Sequence, residues 1–355
     1  MRKYYTRACN FYYGQQAKNL IKKKLGLPLC GNINLAFDCI EILSRDKKTK
    51  IINIQKINTL EKGLKKIIQK DIKNVISKRK NLSKKIKFSE PLIMGVLNLT
   101  PDSFSDGNLF NQKKKAFMHI QNMINKGADI IDIGGESTRP GSKDILPKIE
   151  WKRLEKIVTI FKKKYPKIFL SIDTRKSEVM TQAIKNKSDL INDVSGFKFD
   201  PKAIDIIKKF NVWKVLHHMQ GTPNTMQINP KYKNVLLDLY DFFENKLNTD
   251  FKKFKYKKFI IDPGIGFGKN LKHNLILLNK ISLFHSLGFP ILIGTSRKRF
   301  INQISGPFDS KERIGGTLSS VLYTLTQGVQ IFRVHDVKET RQAFDMWQTI
   351  MFGRE

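Results

Sequence analysis

Eight short apolar segments recur along residues 91–355, and stretches with helical periodicity separate them. Each apolar segment has the length of a buried strand, whereas the intervening stretches have the length and spacing of amphipathic helices. The predicted strands are 92–97, 128–133, 168–172, 190–194, 212–216, 259–261, 291–293 and 330–334. The predicted helices are 116–125, 151–162, 176–185, 200–209, 236–247, 274–287 and 316–327. Strands alternating with helices over about 265 residues predict an α/β fold, a (β/α)8 TIM barrel.

An open, doubly wound sheet is the structural alternative, because it too alternates strands with helices. Such a sheet usually carries a glycine-rich nucleotide-binding turn after its first strand. The sequence contains neither GxGxxG nor GxxxxGKS. The barrel is therefore the favoured fold.

Polar side chains follow every one of the predicted strands. In chain order these strand ends are Asn98, Asp132 with residues 133–141, Asp173, Asn192 with Asp193, His217 with His218, Asp262, Ser296 with Arg297 and Lys298, and Arg333 with residues 334–336. A single polar strand end is ordinary turn or capping chemistry. Eight in succession predict a polar mouth at the carboxyl ends of the strands, where barrel enzymes bind their substrates.

The residue types at this mouth favour a flat polar heterocycle as ligand. Asp173, Asn192 and Asp262 offer paired acceptors and donors that could hold such a ring along its edge. His217 and His218 are neighbours and would point in opposite directions from a strand, so at least one of them is expected to be packed or structural. A zinc-type site is disfavoured, since no cysteine and no suitably spaced histidine pair lies here.

Cationic groups at the same mouth favour a phosphate or diphosphate. Arg333, His335 and Arg139, with the glycine pair at Gly134 and Gly135, could hold such an anion. A Mg²⁺ ion bound mainly through substrate oxygens would suit a single neutral protein ligand such as Asn98.

The motifs at these strand ends resemble the dihydropteroate synthase family of pterin-binding enzymes. They run in order through residues 91–355: MGVLNLTPDSFSDG (94–107), GADIIDIGGESTRPG (127–141), SIDTRK (171–176), INDVSG (191–196), HMQGTP (218–223), DPGIGFGK (262–269), GTSRKRF (294–300) and RVHDV (333–337). The resemblance implies a transferase of folate biosynthesis that joins 4-aminobenzoate to dihydropterin diphosphate, releasing diphosphate and 7,8-dihydropteroate. It also implies a sulfonamide target, a Mg²⁺ cofactor and a homodimer.

The resemblance also implies roles for individual residues. It implies catalytic positions at Asp173, Asp262, Lys298, Arg333 and His335. The implied substrate-binding positions are these five with Asn98, Thr138, Arg139 and Asn192, and Asn98 is also the implied metal ligand. The implied mobile loops contain Phe104 and Asp106 in the first, and Ser137, Thr138 and Arg139 in the second. We expect residues 102–108 to be mobile or irregular without ligands, while Asn98 stays fixed.

The family reaction is described as dissociative, so that the carbon–oxygen bond to diphosphate breaks before the aromatic amine attacks. Asp173 and Asp262 would then favour the electron-rich pterin that feeds the methylene cation. Arg333, Arg139 and His335 would stabilise the leaving diphosphate. Loop closure would exclude water, which would otherwise capture the same cation.

Two residues depart from the family pattern. His217 stands where the family usually has methionine, and it would make the pterin pocket more polar. Arg299 follows Lys298 where many members have serine, and it could alter the entrance for aminobenzoate.

The rival enzyme class is a pterin-dependent methyltransferase, which can resemble this barrel. Such enzymes hand a methyl group to a cobalt cofactor and need neither a diphosphate site nor closing loops. The sequence carries both of these features.

Residues 1–88 differ from the rest and are expected to form a small basic α/β appendage of unknown role, with residues 89–355 forming the pterin-binding barrel. Residues 35–43 and 51–54 are predicted to pair as strands, residues 59–78 to form an amphipathic helix, and residues 78–87 to form an exposed basic linker. We expect this appendage to pack on the barrel or to assist dimerisation.

The formal charge of +35 raises the alternative of a basic RNA-binding protein built on a retired barrel. Lysine supplies most of that charge, and the chain is also rich in Ile, Asn and Phe, as an AT-biased genome would encode. A retired barrel would show decay at the strand ends, which is not seen. We therefore expect no nucleic-acid partner.

Three cysteines, all within the first forty residues, fit neither a disulfide framework nor a zinc site. There is no apolar run of membrane-spanning length and no apolar centre typical of a signal peptide. A cytoplasmic, non-membrane enzyme is expected.

Overall fold

The computed structural model describes residues 2–100, 109–137, 142 and 144–353. The amino-terminal region is a small sheet with two helices. Its elements are β1 (Tyr5–Tyr13), α1 (Gly14–Lys22), β2 (Leu27–Leu29), β3 (Asn32–Leu43), β4 (Lys50–Asn53) and α2 (Lys62–Ile76), with a 3-10 helix at Ile54–Thr59. The long strand β3 is antiparallel to β1 on one side and to β2 and β4 on the other. The predicted pairing of β3 with β4 is confirmed, whereas the sequence patterns did not reveal β1, α1 or β2.

The second sheet contains eight parallel strands. They are β5 (Leu92–Asn98), β6 (Ile130–Gly134), β7 (Phe169–Asp173), β8 (Leu190–Asp193), β9 (Trp213–His217), β10 (Phe259–Asp262), β11 (Leu292–Ile293) and β12 (Ile331–Val334). Their spatial order is β10-β9-β8-β7-β6-β5-β12-β11, and a parallel bridge between Ile261 and Ile291 joins the two ends. The sheet is thus a nearly closed TIM barrel, as the strand count predicted.

Helices cover the outside of the barrel. They are α3 (Leu109–Asn125), α4 (Pro147–Lys164), α5 (Ser177–Lys185), α6 (Ala203–Lys209), α7 (Val235–Asn248), α8 (Leu271–Asn279), α9 (Arg299–Ser305), α10 (Ile314–Thr326) and α11 (Val337–Phe352). The sequence placed all of them except α9 and α11. The predicted helix 274–287 is α8 followed by a separate 3-10 helix at Ile281–Leu287. In α4 the local sequence fits the fold, because proline begins the helix and three lysines end it.

Residues 79–88 plug the amino-terminal end of the barrel. Leu82 and Ile86 are 6% and 8% exposed and pack, with the partly buried Phe88, on apolar side chains from the strands. The Trp213 indole N–H donates to the Leu82 carbonyl oxygen at 3.1 Å. The strand residues in this cluster are Leu92, Met94, Ile130, Phe169, Leu190, Trp213, Val215, Ile260, Leu292 and Ile331. The prediction of an exposed linker at 78–87 is therefore wrong, because only its lysines face water while its apolar residues fill the barrel base.

The amino-terminal region docks on α7 through partly buried ion pairs. Arg2 contacts Asp71, which is 1% exposed, and donates to Glu244 of α7 at 2.6 Å. Arg45 donates to Asp238 at 2.6 Å and to Asp241 at 2.8 Å. This confirms that the region packs on the barrel.

In the described residues no helix is long and apolar enough to cross a membrane.

Candidate active site

The inward face of five barrel strands changes from apolar to polar towards the carboxyl end. On β6, β7, β8, β10 and β12 an apolar residue of the base cluster is followed two or four positions later by a polar side chain. The apolar members are Ile130, Phe169, Leu190, Ile260 and Ile331, and the polar ones are Asp132, Asp173, Asn192, Asp262 and Arg333. Because strand side chains alternate between faces, both sets point into the barrel. The polar mouth predicted from the sequence is thereby formed.

Arg333 links two buried carboxylates. Its Nε donates to Asp132 at 2.7 Å and its Nη2 donates to Asp173 at 2.9 Å. Asp132 is fully buried and also accepts from Ser171 at 2.5 Å and from Asn192 at 3.1 Å. Sequence reasoning assigned no role to Asp132, although its position two residues after inward-facing Ile130 was a usable signal.

Burial and charge act in opposite directions on this cluster. Burial opposes the charged guanidinium, but Asp132 and Asp173 raise the pKa of Arg333 above its usual value. Burial raises the pKa of Asp173 well above its ordinary range, with Arg333 opposing that shift. The Arg333 cation is thus held between Asp132 and Asp173, and the Asp173 carboxylate binds a proton more readily than an ordinary aspartate.

Asp262 lies on the opposite side of the mouth, beside His217. Its Oδ1 accepts from the Gly264 N–H at 2.8 Å, and its Oδ2 lies 4.0 Å from His217 Nε2. Burial raises the pKa of Asp262, whereas Lys298 and the Gly264 N–H oppose the shift. His217 occupies the last, inward-facing position of β9, while His218 packs outside the barrel against Phe242 and Phe243.

Lys298 contacts the loop that follows β10. Its Nζ donates to the Ile265 carbonyl oxygen and lies 4.5 Å from the centre of the Phe267 ring. Burial lowers the pKa of Lys298 to about 7, although Asp262 favours the charged form. The ammonium group can therefore gain or lose its proton near neutral pH.

A cavity of about 700 Å³ opens at this end of the barrel. Its wall includes Asn98, Asp173, Lys298, Arg333 and His335, all of them predicted site residues, together with Ser137 of the second loop. Asn192 and Asp262 do not line it; they are 3% and 6% exposed and lie deeper in the mouth. The structure thus brings six predicted residues onto one surface, with Asn192 and Asp262 beneath it.

Asn98 and His335 occupy neighbouring strand ends. Asn98 ends β5 and pairs in register with Gly134 of β6. A Cβ atom at Gly134 would lie 3.6 Å from Asn98 Oδ1 and 3.5 Å from Asp173 Cβ, so both side chains lie beside this glycine. His335 Nδ1 lies 3.0 Å from Ser296 Oγ, which connects the ends of β11 and β12.

A buried ion-pair network anchors the base of the second loop. Glu136 accepts from Lys176 at 2.7 Å and from Arg175 at 2.9 Å, and Lys176 also donates to Glu150 at 2.6 Å. These side chains join the ends of β6 and β7 to the start of α4 and α5. The other predicted loop residues, Phe104, Asp106, Thr138 and Arg139, lie outside the described residues. The segment 102–108, which we expected to be mobile or irregular, also lies outside them.

Lys269, to which the sequence assigned no role, connects the loops that follow β9 and β10. Lys269 is 2% exposed and donates to the His218 carbonyl at 3.3 Å and to the Phe267 carbonyl at 2.9 Å. Its Nζ also lies 3.1 Å from His218 Nδ1. Lys269 therefore holds the loops after β9 and β10 together, a role that its place in DPGIGFGK does not reveal by itself.

A family model described as "Pterin binding enzyme" matches residues 94–335. The chain belongs to the pterin-binding enzyme family. Curated relatives named dihydropteroate synthase include one from Escherichia coli, 39% identical over 271 residues, which covers 76% of this chain and 95% of the relative. Another, from Bacillus subtilis, is 38% identical over 260 residues and covers 73% of this chain and 88% of the relative.

Solved structures of the same kind share the fold. A Yersinia pestis dihydropteroate synthase in complex with a sulfonamide drug is 38% identical with a TM-score of 0.70, covering 75% of this chain and 96% of that one. The Xanthomonas albilineans enzyme in complex with 7,8-dihydropteroate is 31% identical with a TM-score of 0.67, covering 75% of this chain and 95% of that one. About a quarter of this chain therefore lies outside the part that matches that structure.

Proposed function

We propose that this chain is a dihydropteroate synthase, which condenses 4-aminobenzoate with dihydropterin diphosphate to give 7,8-dihydropteroate and diphosphate. The carrying observation is that Asn98, Asp173, Lys298, Arg333 and His335 from four strand ends converge on one cavity. Membership of the pterin-binding family and relatives that bear this name over most of their length support the same reaction.

In this proposal the deep polar groups hold the pterin. Asp173, Asn192 and Asp262 face its nitrogen-bearing edges, and Lys298 donates to its acceptor atoms. Because Asp173 and Asp262 sit where burial disfavours bare carboxylates, pairing with pterin N–H groups would offset that penalty. The two aspartates would also favour electron donation into the ring.

The groups nearer the rim act on the diphosphate. Arg333 carries a charge fixed by Asp132 and Asp173, so it needs no reorganisation as negative charge builds on the leaving oxygen. His335 lies beside it on the same strand end. The carbon–oxygen bond to diphosphate breaks, the aromatic nitrogen of aminobenzoate bonds to the methylene carbon, and the amine releases its extra proton to solvent.

We also propose Mg²⁺ as the cofactor, with Asn98 as its protein ligand. Asn98 lines the cavity at the end of β5, and its single neutral side-chain oxygen would suit an ion held mainly by diphosphate and water oxygens. Among the described residues, no group of three or more His, Cys, Asp or Glu side chains is placed to hold a metal ion. When bound, Mg²⁺ would neutralise charge on the diphosphate.

We propose further that the enzyme is a cytoplasmic homodimer. Apolar side chains on α8, α10 and α11 support an interface there, because Leu275, Tyr323, Met346 and Ile350 are 42%, 46%, 58% and 71% exposed. The three cysteines are free, which suits a reducing compartment. Light scattering after size exclusion would test the dimer, and a monomer at micromolar concentration would contradict it.

Product formation tests the central proposal directly. The pure protein, labelled 4-aminobenzoate, dihydropterin diphosphate and Mg²⁺ should yield labelled dihydropteroate. EDTA should abolish the product and added Mg²⁺ should restore it. No product with Mg²⁺ present contradicts the proposed reaction, whereas turnover in EDTA contradicts the cofactor alone.

A further inference from the structure

His217 is a buried imidazole whose protonation pattern the structure defines. Its Nδ1 lies 2.7 Å from the carbonyl oxygen of Val194, which can only accept a hydrogen bond. Nδ1 therefore carries the hydrogen, and in the neutral ring Nε2 presents a lone pair. Burial, followed by the charges of Lys269 and Lys298, lowers the pKa of His217 well below its usual value, so the neutral ring is the relevant form.

Asp262 lies near this nitrogen. His217 Nε2 and Asp262 Oδ2 lie 4.0 Å apart, which is too far for a hydrogen bond between them. Although one atom belongs to a histidine and the other to a carboxylate, the pair is not a salt bridge, because the ring is neutral. Two acceptors face the same small volume, and neither supplies a hydrogen to the other.

A ligand group with more than one N–H hydrogen complements such a pair. The edge of a pterin that carries its 2-amino group and N3–H has parallel donors that fit one carboxylate, and the amino group has a further hydrogen to give. We propose that His217 is a specificity-determining residue whose Nε2 accepts a hydrogen bond from the 2-amino group of the pterin while Asp262 accepts from the same edge. The inference rests on the proposed function, because it assumes a pterin at this position.

Phe267 connects His217 to the open cavity. Its ring packs edge-on against His217 with the ring centres 4.8 Å apart, and it lines the cavity wall. Gly266 and Gly268 on either side have φ angles of +83° and +62°, conformations that favour glycine. The Phe267 ring therefore contacts both the cavity and His217, and it forms part of the wall beside the proposed position of the pterin.

The test compares two ligands that differ at ring position 2 and, as a consequence, in whether N1 carries a hydrogen. Wild-type protein should bind 6-hydroxymethylpterin, which has the 2-amino group, more tightly than 6-hydroxymethyllumazine, which has an oxygen there. Replacing the acceptor in His217→Met should reduce that preference by about three- to tenfold, the value of one hydrogen bond. His217→Gln should recover part of the preference, because its amide oxygen can accept. Calorimetry or fluorescence quenching gives each dissociation constant.

A matched variant separates recognition from packing. His285 is another buried, neutral histidine, but it lies on the 3-10 helix at Ile281–Leu287 and does not line the cavity. His285→Met should lower stability without changing the ratio of the two dissociation constants. If His217→Met leaves that ratio at the wild-type value, the inference is overturned while the proposed function stands.

A second measurement needs no substitution at His217. In wild-type protein labelled with nitrogen-15, the unprotonated ring nitrogen of His217 should shift upfield when 6-hydroxymethylpterin binds and should not shift with 6-hydroxymethyllumazine. Binding of the pterin without this shift overturns the inference. A wild-type protein that binds neither ligand overturns the proposed function and the inference together.

Discussion

The two ends of the same barrel strands are built from opposite chemistry. At the base, Leu82 and Ile86 complete an apolar plug with strand residues such as Ile130 and Ile331. Two positions further along the same strands, Asp132 and Arg333 form a buried ion pair at 2.7 Å. Two residues along a strand thus separate the apolar base, which stabilises the fold, from the mouth, where the burial of charge costs free energy of folding.

This difference explains why the site can be preorganised. The plug and the shell of helices hold the strands in register. The mouth can therefore contain buried ionisable side chains that by themselves would destabilise the fold. Asp173 and Lys298 both have pKa values shifted towards their neutral forms by burial. Substitutions at the mouth should therefore change activity more than stability, and substitutions at the base should do the reverse.

The largest expected effect is at Asp173. Asp173→Asn removes the carboxylate that pairs with Arg333 and the proposed acceptor for the pterin. We expect kcat/KM to fall by roughly 10²–10³-fold, as when one preorganised charged contact of a transition state is lost. The thermal midpoint should change little. Steady-state kinetics and thermal unfolding measure both quantities.

Asp205→Asn is the matched control, because Asp205 is exposed on α6 and away from the cavity. It should retain wild-type kcat/KM. Equal losses of activity in the two variants would contradict a special role for Asp173. A loss of stability large enough to explain the lower activity of Asp173→Asn would contradict it as well.

The base should give the opposite result. Leu82→Ala leaves a cavity in the plug and should lower the free energy of unfolding by about 2–5 kcal/mol, with KM values unchanged. Chemical denaturation and kinetics below the transition give these values. Leu25, which is 44% exposed, provides the control, and Leu25→Ala should cost less than about 1 kcal/mol. A folded Leu82→Ala protein with altered KM values would show that the two ends are coupled.

A smaller effect should appear in the pH profile. The pKa of Lys298 is lowered to about 7 by burial, so its ammonium form predominates below that pH and is lost above it. If the ammonium donates to the pterin, kcat/KM should fall by up to about tenfold per pH unit above 7. Lys298→Arg keeps the charge, and its profile should lack this decline even if its maximum is lower. Superimposable normalised profiles would exclude a role for Lys298 ionisation, since substrate ionisation affects both proteins equally.

The smallest effect is expected at the rim. Arg299 is exposed and lines the cavity, where its charge faces the proposed path of 4-aminobenzoate. Arg299→Ser should raise the KM for 4-aminobenzoate by about two- to fivefold, because an exposed charge contributes at most about 1 kcal/mol. The KM for the pterin substrate should not change. Lys338→Ser, at an exposed position of α11 that does not line the cavity, should alter neither value. An unchanged KM for 4-aminobenzoate in Arg299→Ser would assign Arg299 to the solvated surface.

The sequence by itself determined the barrel and the composition of its mouth. The ends of all eight predicted strands lie within two residues of the observed ones, because burial on both faces produces apolar runs that are visible locally. The positions of Asp173, Asn192, Asp262, Lys298 and Arg333 at strand ends follow from the same local pattern. Family motifs then implied their roles, which remain predictions to be tested by substitution.

Only the tertiary structure decided which of these groups meet. Asp132 and Arg333 are 201 positions apart in the chain, and no local pattern pairs them. The local sequence around Leu82 and Ile86 is typical of a basic linker, whereas in the structure both side chains pack into the apolar base of the barrel. The tautomer of His217 likewise depends on the Val194 carbonyl of the neighbouring strand end. Local periodicity depends on burial alone, whereas hydrogen bonds and protonation depend on partners that folding brings from distant parts of the chain.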